Sequence, residues 1–138
     1  MTTMSKERAT HLHIPGYLET YEQDIDGWTV SMERTLTDLD LAPFYRGGEG
    51  DLCQAHHVGY VIKGKFGIRA PDGTEEVYSA GDAFVIQPGH TPVQYAGGQY
   101  VAFTPTAEAR AQAAVIMPNI VRYAQEHGIE LPAELRPT

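Results

Sequence analysis

The chain has 138 residues, with 10 basic and 18 acidic side chains and a formal net charge of −8 at neutral pH. That length suits one domain with a core of its own, and the apolar and charged fractions (42% and 20%) are those of a folded protein. The acidic balance repels phosphate backbones and anionic lipid, and Lys and Arg form no patch, so nucleic acid and membrane surfaces are excluded as partners.

Cys53 is the single cysteine, so no internal disulfide exists and a reducing compartment is expected. The opening MTTMSKERAT lacks the apolar stretch of a signal peptide, and no apolar run is long enough to span a bilayer. A soluble cytoplasmic protein is expected.

Residues 1–27 read as an irregular lead-in, with turn signals at Pro15-Gly16 and Asp26-Gly27. From Trp28 the sequence alternates. Trp28, Val30 and Met32 fall on one face of a half-buried strand and Thr29, Ser31 and Glu33 on the other. A short apolar stretch at 39–44 is interrupted by Pro43, and 46–50 is a glycine-rich loop. Strands are predicted around Tyr60–Ile62, Phe66–Ile68, Glu75–Ser79, Ala83–Ile86 (fully buried), Val93–Tyr95 and Gln99–Phe103. Between them lie turns at Gly64, Pro71–Thr74, Gly81-Asp82, Pro88-Gly89 and Gly97-Gly98. Short strands punctuated this regularly predict an all-β sandwich or barrel. The period then changes: Thr106 is placed to cap a helix with Glu108 in its first turn, and Pro118 is expected to break it into two helices ending at His127-Gly128. Its apolar stripe (Ala113, Ile116, Met117, Ile120, Tyr123, Ala124) is expected to cover the barrel or a neighbouring subunit.

Gly50, His57 and Gly64, then Gly81-Asp82 and Pro88-Gly89, together with the phrases YVIKGKFGI and GDAFVIQPGH, resemble the two motifs of the small single-domain cupins of the RmlC-like kind. The resemblance covers residues 50–103. It implies a double-stranded β-helix, a jelly-roll barrel with its core at about 28–105, one cupin domain over 1–138, C-terminal helices at 106–128, and a homodimer. Carried over position by position, the two histidines of the first motif fall on Asp51 and Cys53 and its glutamate on His57. Pro92 stands where the last histidine would be, Gln87 replaces the proline of the second motif, and Ala96 its asparagine.

The residues left in place have a chemistry of their own. Asp51, Cys53 and His57 share strand parity and would point into the barrel together, with His90 swinging in from its turn as a fourth donor. Carboxylate, thiolate and imidazole are competent ligands for zinc or iron, with nickel or manganese left open. Without a metal, His57 would be the catalytic residue, a general base titrating near neutrality. His56 would face the other way. The structural reading stays open beside this: a buried cysteine packs as a small hydrophobe, and Asp51 and His90 both follow glycines as turn residues do. Tyr60, Phe84 and Tyr95 are candidate pocket aromatics that serve equally as core. Two functions follow: a metal-assisted enzyme of isomerase, lyase or oxygenase type acting on a small polar molecule, or a metal-free cupin that binds or senses a small molecule.

Overall fold

The computed structural model describes residues 2–136. Ten strands and one long helix follow in order: β1 (Thr10–Ile14), β2 (Leu18–Ile25), β3 (Trp28–Thr35), β4 (Leu39–Asp40), β5 (His57–Lys63), β6 (Lys65–Arg69), β7 (Glu75–Ser79), β8 (Ala83–Ile86), β9 (Thr91–Gln94), β10 (Gln99–Pro105) and α1 (Thr106–His127). They form two antiparallel sheets, six strands in the order β1-β2-β3-β10-β5-β8 and four in the order β4-β9-β6-β7. The inward faces meet in an aromatic core of Phe66 and Tyr78 from the smaller sheet with Val61, Phe84, Ile86 and Tyr100 from the larger. Phe66 stacks on Tyr100 at 4.3 Å between ring centroids, a geometry that adds to the burial of both rings. Turn chemistry set these connections: Gly73 ends the Asp72-Gly73 hairpin with φ +89°, and Gly64 takes φ +62° between β5 and β6.

The N-terminal lead-in is not irregular. β2 pairs with β3 along all eight residues, and β1 adds a further strand. Polar side chains occupy both faces of LETYEQDI, so no apolar alternation announced the strand. On β3 the face of Thr29, Ser31 and Glu33 lines the cavity; on the other face Trp28 is 46% exposed while Val30 is buried. In β8 only Phe84 and Ile86 are buried; Val85 is 70% exposed.

The tail is one helix, with Pro118 inside it. Proline frees the carbonyl four residues back, which costs the helix a hydrogen bond. Packing outweighs that loss: the next residue, buried Asn119, donates through Nδ2 to the backbone oxygens of Phe44 and Arg46, each at 2.9 Å, and ties the helix to the 3-10 turn at Ala42–Tyr45. The Thr106 hydroxyl caps nothing; it donates to Thr29 Oγ1 at 3.1 Å, whose own proton goes to the Asp24 carboxylate. Gly128 ends the helix in the left-handed conformation, as its sequence position required. Among the described residues, no helix is long and apolar enough to cross a membrane.

Candidate metal centre and cavity

Cys53 and His90 are held side by side by the backbone. Their residues form an isolated antiparallel bridge, with Cys53 N–H donating to His90 O and Gly89 N–H donating to Cys53 O, both at 2.8 Å. Gly89 takes φ +95°, which lets the Pro-Gly turn bring residue 90 back against residue 53. His57 opens β5, opposite Ile86 of β8. One ligand atom from each of Cys53, His57 and His90 lies within 4.8 Å of the others.

Each histidine has one nitrogen engaged behind it. His90 Nδ1 lies 2.7 Å from the Gln87 carbonyl, which can only accept, so Nδ1 carries the proton and Nε2 keeps its lone pair. That Nε2 is buried without a partner, in a residue only 2% exposed. His57 Nδ1 lies 2.7 Å from Thr104 Oγ1, and its Nε2 lies 3.4 Å from Cys53 Sγ. The two rings meet edge to face at 5.4 Å. Burial, and then the neighbouring His90, press His57 down to about 4, and burial lowers His90 as well. Both rings are therefore neutral at physiological pH; the His90 Nε2 lone pair is free, and His57 Nε2 faces the Cys53 sulfur. Burial raises the Cys53 thiol, which a bound cation would reverse.

Asp51 does not join them. It sits in an exposed 3-10 turn with φ +57°, and its carboxylate accepts from Gly47 N–H at 2.9 Å. The shared parity expected for 51, 53 and 57 fails because the chain is not one strand there. A carboxylate two residues from Cys53 serves the loop. His56 turns outward, its N–H and Nδ1 both 2.8 Å from Glu108 Oε1 in the first turn of α1. Of the candidate aromatics, Phe84 lines the cavity, Tyr60 is exposed, and Tyr95 lies beneath the Lys65 ammonium at 4.6 Å.

Cys53 and His57 line a cavity of about 330 Å³, with His90 behind them. Leucines 12, 39 and 41 with Phe44, Phe66 and Phe84 make much of its wall, and α1 closes one side with Ala113, Ile116, Met117 and Ile120. The lining is thus mainly apolar. Sequence reading missed several of its polar members, Tyr45, Glu33, Tyr100 and Gln94, and the supporting pair Gln87 and Thr104. For Glu33 and Tyr100 a signal was available: each shares the parity of other inward residues on its strand.

The sequence matches no family model and no curated protein. Solved structures do resemble the fold. An RmlC-like cupin from Shewanella frigidimarina superposes with a TM-score of 0.51 at 21% identity, over 75% of this chain and 89% of that one. The polyketide cyclase RemF from Streptomyces resistomycificus gives 0.52 at 15%, over 76% and 79%. An Fe(II) structure of HppE gives 0.53 at 11%, over 75% of this chain and 59% of that one. Two antiparallel sheets closing on one cavity, with such neighbours, place this chain among proteins of the cupin fold.

Proposed function

We propose that the protein is a metal-dependent enzyme whose metal is held by Cys53, His57 and His90. The observation that carries this reading is the buried, partnerless lone pair of His90 Nε2, oriented by the Gln87 carbonyl and set beside a thiol and a second imidazole. An unpaired buried polar atom is costly, and a histidine whose other nitrogen donates to a carbonyl is the usual way a protein presents a ligand. Thiolate and two imidazoles suit zinc or iron, and three protein ligands leave a position for substrate. A metal there supplies a Lewis acid for a carbonyl or carboxylate oxygen. The chain's own residues orient the ligands and exclude water; the apolar wall favours a molecule with few polar groups over the small polar molecule expected from the sequence. Chemistry of isomerase, lyase or oxygenase type fits such a site. His57 as a free general base is disfavoured, because a base held near 4 has little driving force at neutral pH. A thiolate ligand that must stay reduced suits the cytoplasm.

The experiment is elemental analysis of the purified protein, followed by cobalt substitution. Stoichiometric zinc or iron is expected, along with a thiolate-to-cobalt absorption band that disappears in Cys53→Ser. A protein that takes up no metal and shows no band would leave the second reading, favoured by the mainly apolar cavity, in which the protein binds a small molecule without turnover.

The partner we infer is a second copy. The helix, whose stripe was expected to cover the barrel or a neighbouring subunit, lines the protein's own cavity, whereas the outer face of the larger sheet exposes Trp28, Tyr60, Val85 and Phe103 on adjoining strands. The centre of that face is free of charge, so two copies each at −8 can meet there without bringing like charges together.

A further inference from the structure

The cavity wall carries a second polar group that the metal centre does not use. Glu33 on β3 faces Tyr100 on β10, its register partner, and the Tyr100 hydroxyl donates to the Glu33 carboxylate. Gln94 on β9 comes from the other sheet and donates through Nε2 to the Tyr100 oxygen at 3.2 Å. Its Oε1 has no partner, although the residue is only 4% exposed and lines the cavity. Tyr100 and Thr104, the residue behind His57, point the same way from one strand, four residues apart. At about 3.3 Å per residue their backbones are roughly 13 Å apart. Only the small Ala102 projects inward between them, and Phe66 and Phe84 floor that stretch.

We propose that Glu33, Tyr100 and Gln94 form a hydroxyl-binding subsite at the end of the cavity away from the metal centre, and that the ligand is a mainly apolar molecule bearing a hydroxyl at that end. A hydroxyl both donates and accepts. It satisfies the vacant Gln94 Oε1 and accepts from Glu33 when that carboxyl is protonated. An alkyl group in its place leaves the buried oxygen unpaired, a loss of roughly tenfold or more in affinity. The proposal deepens the enzyme reading by naming its substrate class, but the subsite does not depend on the metal.

The test is calorimetric titration of chelator-treated protein with 2-naphthol and with 2-methylnaphthalene, which differ only in hydroxyl against methyl. Wild type is expected to prefer 2-naphthol about tenfold. Gln94→Leu is expected to abolish most of that preference while still binding 2-methylnaphthalene, which shows the cavity intact. Equal affinity for the two probes, no binding of either, or a preference that survives in Gln94→Leu overturns the subsite. Since no metal is present, none of these outcomes bears on the Cys53–His57–His90 centre, and loss of that centre would leave these results unchanged.

Discussion

His90 and Glu33 illustrate how burial turns ordinary side chains into candidates for chemistry. Around Glu33 stand Glu22 from β2, Tyr100 from β10, Gln94 from β9 and Tyr45 from the 3-10 turn. Burial raises its carboxyl above the ordinary range; the Tyr100 hydrogen bond works against this, and the Glu22 charge adds to it. A carboxyl raised on folding binds its proton more tightly in the native state. Stability is then fully retained below the unfolded pKa and falls as pH rises from there to the folded value. Between about pH 4 and about pH 8 the melting temperature of wild type relative to that of Glu33→Gln should fall; the comparison cancels Glu22, which burial also raises, and His57 and His90, which burial lowers and which act in the opposite sense. Matching slopes in the two proteins would contradict this. At Gly59 the constraint is steric. A Cβ there would meet the Val101 carbonyl oxygen and the Phe84 ring, so Gly59→Ala should cost about 1–3 kcal/mol in denaturant unfolding. An unchanged midpoint would show that β5 can move away from β10 and from the Phe84 ring freely.

One buried side chain, Asn119, ties α1 to the turn beneath it. The helix's interior proline weakens it, its hydrophobic stripe both lines the cavity and packs on Phe44, Tyr45 and Ala55, and Asn119 fastens it to the backbone at Phe44 and Arg46. Asn119→Ala leaves those carbonyls without their buried donor and should lower stability by about 1–3 kcal/mol. Amide exchange should quicken across residues 106–127 while β5 and β10 remain protected, because the strands hold each other independently. Uniform acceleration over the whole chain would mean that helix and sheets unfold as one unit. The same logic explains why Pro118 does not split the helix. Sequence registers a lost hydrogen bond, but only the fold supplies the turn to which the following residue is tied.

At the scale of the whole molecule, the larger sheet has a cavity on one face and, at the centre of the other, an apolar surface, with Glu19 and Arg34 paired toward its edge. Pairing of two copies through the outer face would cover Val85 and Phe103, which are 70% and 38% exposed. Sedimentation should find a dimer in wild type and a monomer in Val85→Glu/Phe103→Glu, because the paired charges would be buried without partners. A wild-type monomer, or a double variant that still dimerises, would place the contact elsewhere.

The strand-and-turn plan from Trp28 to Pro105 was legible because its signals are local: Asp72-Gly73, Gly81 and Pro88-Gly89 demand turns wherever they occur, and short β-rich runs fill the intervals. Cys53, His57 and His90 were legible as candidates because their residue types and motif positions are chemical facts of the chain. Their convergence was not, since it depends on a backbone bridge between residues 37 apart in sequence. Nor was the loss of Asp51, whose left-handed turn breaks the parity that a strand would have kept. Alternation in a strand names two faces without saying which is inside. In a solid core the apolar face wins. Here the larger sheet encloses a cavity, so Thr29, Ser31 and Glu33 turn inward and Trp28 outward, a choice that exists only once the sheets have closed around it.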